Sequence, residues 1–263
     1  MLNDAMPKPS ALAAVPLTRI VAHLDDYLRI ASIEDYPQAR NGLQLENSGT
    51  IRRIVAAVDA CAPVIAKAAT QPGVLLLVHH GLFWENGAWI GGRYRKMKTA
   101  IEHDLAVYSA HLPLDIHPKV GNAARLCRAL GFTKPMPFLS WKGQPVGVRI
   151  SARITRDELT RRLARVLGAR PHLCAGGAAQ IRSVGIVTGA AGSEVAQAHA
   201  EGVDTFITGE GPHWSYTLAE ELGVNLFYGG HYATETFGVK ALAAQLAKRF
   251  KLPWDFIDHP TGL

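Results

Sequence analysis

One eight-residue pattern occurs twice in this chain. Tyr108-Ser109-Ala110-His111 followed by Asp115 lies 120 positions before Tyr228-Gly229-Gly230-His231 followed by Glu235, so both stretches read Tyr-small-small-His-x-x-x-acid. A second pair of echoes lies at an offset of 130: Ile51-Arg52 falls on Ile181-Arg182, and His79-His80-Gly81 falls on Gly209-Glu210-Gly211. Two echoes in the same order, each set in strand–helix–strand patterning, predict an internal duplication. A repeat this long is a pair of domains and not a solenoid. The 263 residues suffice for two small cores. The expected division is 1–130 plus 231–263 as a first α/β domain and 145–230 as a second. The Pro- and Gly-containing stretch from Gly131 to Gly147 is expected as the linker.

The coarse elements follow from periodicity. In the first half, Thr18 to Ile30 carries Ile20, Val21, Leu24 and Leu28 on one helical face. Ile51 to Val58 and Val74 to Val78 read as buried strands, joined by a helix over Ala62 to Ala69 that ends at Gln71-Pro72-Gly73. A glycine-rich loop is expected over Asn86 to Tyr94, then a helix near Met97 to Asp104 and a strand over Leu105 to Ser109. The second half repeats this order. Thr155-Arg156-Asp157-Glu158 has the pattern of a reciprocal capping box and opens a helix that stops at Gly168. Strands are expected at Val184–Thr188, Thr205–Thr208 and Val224–Tyr228, with helices over Glu194–Ala200 and Trp214–Leu222 between them. A long helix runs from His231 to about Phe250.

Composition narrows the classes. The longest apolar run, Val74 to Val78, is far too short to cross a bilayer and ends in two histidines. The first residues lack the basic start and apolar block of a secretory signal. Three scattered cysteines, none in a CxxC pair, argue for a reducing compartment, so a cytoplasmic protein with no membrane partner is expected. The net charge of +6 would suit nucleic acid or a phosphorylated ligand, but basic residues spread along the chain are read first as a solvated surface. Nucleic acid stays open as a partner on charge alone, but the basic residues are spread out without aromatic interleaving. The five tryptophans are read as packing residues.

In open α/β sheets ligands gather beyond the carboxyl ends of strands. His79, His80, His111, Glu210 and His231 all fall at such ends, and Asp115 and Glu235 follow one step later. Adjacent histidines on a strand point to opposite faces, which suits two neighbouring ions better than one. His231 and Glu235, four apart on a helix, share a face. Imidazoles mixed with carboxylates are a ligand set for Zn, Fe, Mn, Co or Ni. The bland reading of each cluster taken alone is a surface His pair, a helix-start His with a first-turn Glu, and an ordinary loop acid. The remaining histidines have no partner pattern.

Asn41-Gly42-Leu43-Gln44, the strand into His79-His80-Gly81, Tyr108 through Asp115, Thr208-Gly209-Glu210 and Gly230 through Glu235 together resemble the NIF-three-like family. Its members are dinuclear-metal-centre hexameric proteins often labelled GTP cyclohydrolase I type 2 homologues. The resemblance spans about Leu17 to Ile257. It implies two similar α/β domains with a metal pair in the cleft between them, and a ring-shaped homohexamer. The implied ligands are His79, His80, Asp115, His231 and Glu235: His80 and Asp115 on one ion, His79 and His231 on the other, Glu235 bridging. His111 and Glu210 are then expected to act behind the ligands, orienting them or passing protons. This chain has Gly81-Leu82 where the family often has Pro after the His pair, which makes a looser loop the expectation. The functional expectation is a metal-dependent hydrolase acting on a nucleotide or other phosphorylated small molecule. The alternative is a non-catalytic metal-binding or regulatory hexamer.

Overall fold

The computed structural model describes residues 14–84 and 87–263. The first residues, read as lacking a secretory signal, and Asn86, where the expected glycine-rich loop begins, lie outside the described residues.

The first half runs β1 (Val15–Pro16), α1 (Leu17–Leu28), β2 (Gly42–Leu45), β3 (Thr50–Ile51), β4 (Arg53–Asp59), α2 (Ala62–Ala68), β5 (Val74–His80), α3 (Gly91–Glu102), β6 (Ala106–Ser109), α4 (Leu112–Asp115) and α5 (Asn122–Ala129). The second continues with β7 (Met136–Trp141), β8 (Gln144–Thr155), α6 (Arg156–Leu167), β9 (His172–Ala175), β10 (Gln180–Ile186), α7 (Val195–Ala200), β11 (Thr205–Thr208), α8 (His213–Leu222) and β12 (Asn225–Tyr228). The chain closes with α9 (His231–Phe250) and β13 (Trp254–Phe256).

Two sheets organise these elements, in the orders β13-β4-β5-β6-β2 and β7-β8-β10-β11-β12-β9. Each is built on three parallel strands, β4-β5-β6 and β10-β11-β12, with an antiparallel strand on the far side of the third. The continuous apolar runs make this inevitable. Val74 to Val78 is buried on every residue because helices cover both faces of its sheet. One face packs under α1 and α9 through Ile20, Leu24, Leu242 and Leu246. The other packs under α2 and α3 through Val64, Ile65 and Ala100.

The last helix of each half covers the other half's sheet. Leu126 and Cys127 of α5 pack with Ile150, Ile181, Val184 and Ile207 of the six-stranded sheet, while α9 packs on the five-stranded one. Both helices therefore cross the junction, and α9 carries its amino-terminal residues to the point where the sheets meet.

Three local expectations are revised. Residues 131–147 are not a bare linker: they hold β7 and the start of β8, paired as a hairpin, with Phe138 and Leu139 buried. Pro137, Pro145 and three glycines hide this hairpin from pattern reading; Pro137 is tolerated because β7 is the edge strand, and Pro145 because it lies in β8 ahead of its pairing with β10, which begins at Val148. Helix α3 begins at Gly91, six residues before the expected start, on a glycine with φ +58°. The capping box at Thr155 forms by half. Thr155 Oγ1 accepts from the Glu158 amide at 3.2 Å, but the Glu158 carboxylate turns outward to Arg161 and Arg162.

Candidate metal centre

The carboxyl ends of β5 and β6 deliver His79, His80 and His111, and the first turns of α9 deliver His231 and Glu235. Glycines make this convergence sterically feasible. Gly230 enters α9 at φ +91°, and a Cβ on Gly209 would stand 2.7 Å from the Cα of His231. At Gly189, with φ +71°, a Cβ would lie 2.4 Å from Glu235 Oε1, so only glycine leaves the carboxylate its place.

All four imidazoles are held the same way. Nδ1 of His79 donates to the Ala110 carbonyl at 2.9 Å, and Nδ1 of His80 to Asp59 at 2.8 Å. Nδ1 of His111 donates to Asp35 at 2.9 Å, and Nδ1 of His231 to Glu210 at 2.8 Å. In a neutral ring this fixes the tautomer and leaves the lone pair on Nε2. The Nε2 atoms turn to carboxylates: His79 to Asp115 and to Glu235 Oε1, both at 3.4 Å, and His80 and His231 to Glu235 Oε2 at 3.4 and 3.1 Å. Glu235 thus offers one oxygen to each side of the centre.

These approaches lack hydrogen-bond alignment. His79 Nε2 and Glu235 Oε2 are buried without a hydrogen-bond partner, in residues 0 % and 3 % exposed. Orphaned lone-pair atoms that deep are costly unless something else satisfies them. Two overlapping groups, His79-His80-His111 and His80-His231-Glu235, bring their ligand atoms close enough to share an ion. The donor set and its orphaned atoms fit divalent cations.

The electrostatics agree. Burial opposes charge on His79, yet the Asp115 and Glu235 carboxylates overcome it and raise its pKa from 6.5 to about 10. Burial likewise opposes charge on His231, and Glu235 with Glu210 brings it to about 9. His80 moves down, through burial and the neighbouring His79 charge. Burial would raise the Glu235 pKa, but His79 and His231 hold it well below the usual carboxylate range. The carboxylates thus favour positive charge at His79 and His231, whereas burial and His79 disfavour it at His80.

Each expected residue is accounted for. His79, His80, Asp115, His231 and Glu235 converge. Asp115 approaches His79, while Oε2 of Glu235 lies near both His80 and His231. Glu210 sits behind His231, and His111 joins the His79-His80 group with its own Nδ1 tied back. Asp35 and Asp59 were not foreseen. Asp59 stands at the end of β4, a strand-end acid that the same carboxyl-end rule would have flagged; Asp35 lies in an irregular loop with no such signal. Asn41 and Gln44, known only as parts of a motif, have clear tasks. Asn41 bonds Asp35 and accepts from the His111 amide, and Gln44 accepts from the Leu82 amide at 2.6 Å. A Cβ on residue 81 would meet the Gln44 amide at 2.3 Å, so Gly81-Leu82 is a tied loop and not a loose one.

A cavity of about 690 Å³ opens onto the centre, lined from both sheets by residues including Asp59, His80, Asp115, Trp141 and Thr188. Its size suits a small molecule.

An imidazole–carboxylate centre at the junction of two α/β sheets defines the class, and comparison with known proteins gives the lineage. The model of the Duf34/NIF3 (NGG1p interacting factor 3) family matches residues 15–261, and the chain belongs to that family. A curated relative from Deinococcus radiodurans, named "GTP cyclohydrolase 1 type 2 homolog", is 41% identical over 247 residues, covering 93% of each chain. One of the same name from Pyrococcus abyssi is 38% identical, over 93% of this chain and 98% of its own. The crystal structure of TTHA1606 from Thermus thermophilus is similar with a TM-score of 0.86 at 40% identity, over 95% of this chain and all of that one. Among the described residues, no helix is long and apolar enough to cross a membrane.

Proposed function

We propose that this chain holds two divalent metal ions and acts as a metal-dependent hydrolase on a nucleotide or other phosphorylated small molecule. One observation carries the proposal: three imidazoles, each fixed through Nδ1, approach the buried Glu235 carboxylate, with Oε1 toward His79 and Oε2 toward His80 and His231. His79, Asp115 and Glu235 would hold one ion, and His80, His231 and Glu235 the other. When bound, such a pair supplies Lewis acidity and activates water near neutral pH. The protein's own residues do the rest. Asp59 and Glu210 orient His80 and His231, and Asp35 holds His111 with Nε2 as its free nitrogen, placed to move a proton at the cavity wall.

The nucleotide part of the reading draws on the cavity's size and on the name carried by the relatives. The proposal also treats residues 1–130 with 231–263, and 145–230, as duplicated units whose junction carries the site. It places the chain in a cytoplasmic homohexamer. The deep burial of His79 and Glu235 supports a second reading, a non-catalytic metal-binding or regulatory assembly. A screen of the metal-loaded protein against nucleotides and phosphoesters separates the two, with a His79→Ala/His80→Ala double variant as control. Hydrolysis confined to the parent chain supports the enzyme. Equal hydrolysis in the double variant belongs to a contaminant, and none in either, with metal present, favours the assembly.

A further inference from the structure

An arc of aromatic rings runs from the cavity mouth to the candidate ligands. Trp141, at the end of β7, meets Tyr36 from the loop before β2, with ring centroids 5.0 Å apart and planes tilted by 35°. Tyr36 lies 6.0 Å from the His111 ring, and Trp84 stands edge-on to His111 at 4.8 Å. Tyr36, Trp84 and Trp141 all line the same cavity as His80, His231 and Glu235.

These rings do not behave as core. Tyr36 is 49% exposed, and among the described residues no core cluster contains it or either tryptophan. The Trp84 indole N–H is buried yet has no acceptor among the described residues, whereas a buried indole ordinarily finds one. Both halves of the chain are committed to holding the arc in place. Tyr36 is fixed through its amide to Asp35, the residue that also anchors His111, at 2.7 Å. Lys142, next to Trp141, lies over the Trp141 ring and pairs with Glu34 across the junction. Among the described residues, Lys96 is the single lysine or arginine on the cavity wall, so anion binding at the inner end depends chiefly on the metal centre.

We propose that Tyr36, Trp84 and Trp141 form a stacking subsite for the planar base of a nucleotide whose phosphate faces the metal centre. This deepens the functional reading above and rests on it only for the direction of the phosphate. Stacking tolerates any base because each offers a π face, and the Trp84 N–H adds one donor for an acceptor on the ring edge. The tryptophans read as packing residues in the sequence thus take a recognition role at two of five positions.

The test is calorimetric titration of the whole chain, metal-loaded and chelator-treated, with the four common nucleoside 5′-monophosphates and with ribose 5-phosphate as the ring-free probe. The parent chain is expected to bind at least one nucleotide about tenfold or more tightly than ribose 5-phosphate. Tyr36→Ala and Trp141→Ala should each remove about tenfold of that advantage, with metal content and ribose 5-phosphate affinity unchanged, and Trp141→Phe should keep most of it. A nucleotide that binds no better than ribose 5-phosphate, or not at all, overturns the subsite. So does an advantage that survives both alanine variants. Metal content is measured independently, and the chelator-treated chain reports ring recognition by itself, so loss of the metal-centre reading and loss of the subsite are told apart.

Discussion

At the end of β5 stand His79, His80 and Gly81; at the matching end of β11 stand Gly209, Glu210 and Gly211. The two sheets share a parallel trio with an antiparallel strand beside its third member, yet the chemistry falls unequally on them. The five-stranded sheet presents imidazoles directly to the centre. The six-stranded sheet presents space, through Gly209 and Gly189, one support, Glu210, and beyond β12 a single imidazole, His231. The offset of 130 that places His80 on Glu210 also places Asp59 on Gly189. In the first half Asp59 holds the ring of His80; in the second, the position of Asp59 is emptied so that Glu235 can fill it. The acids differ likewise. Asp115 sits on a four-residue helix and reaches one imidazole, whereas Glu235 sits inside a twenty-residue helix and reaches three. A shared trio of parallel strands therefore carries different side chains at its ends, chiefly imidazoles in one half and chiefly glycines with Glu210 in the other.

The sharpest way to break this comparison is Glu235→Gln. It keeps the shape and removes the charge on which His79, His80 and His231 converge, and metal affinity should drop by more than ~100-fold, beyond the range typical of supporting residues. Competition against a chelator measures it; an equal loss in Asp115→Asn would erase the asymmetry between the two acids. Next come the supports. Asp59→Ala and Glu210→Ala should each cost about 10–100-fold in metal affinity, with Asp59→Asn and Glu210→Gln recovering part. If one matters and the other does not, the equivalence of the two strand ends is lost. Gly189→Ala forces a left-handed residue against Glu235 and should cost about 1–2 kcal/mol in denaturant unfolding, with weakened metal retention. Stability unchanged by that substitution would mean that the glycine does not make room for the acid. The smallest effect concerns the corresponding helices α1 and α6. Thr155 caps α6 through its side chain, whereas α1 begins after Pro16 with no such cap. Thr155→Ala should cost about 1 kcal/mol, read from the unfolding midpoint.

Much of this was legible in the sequence because apolar runs mark strands and the polar residues that end them stand out. Val74 to Val78 running into His79-His80 reads as a buried strand that ends in polar residues, and β5 bears this out. The repeated Tyr-small-small-His-x-x-x-acid pattern gave both β6 and β12 their terminal histidines. What stayed hidden depends on tertiary packing. Asp35 reaches His111 from a loop without periodicity, and no spacing rule relates residues 76 positions apart. The β7–β8 hairpin carries Pro137 on the edge strand and Pro145 ahead of the pairing with β10, so it read as linker although Trp141 lines the cavity.

The central claim is that the Glu235 carboxylate sits between two cations, each with its own imidazoles. Anomalous diffraction from crystals grown with manganese or zinc tests it most directly. Two peaks are expected, one beside His79 and Asp115 and the other beside His80 and His231, with Glu235 touching both. A single peak, or peaks that leave Glu235 out of contact, would contradict the account.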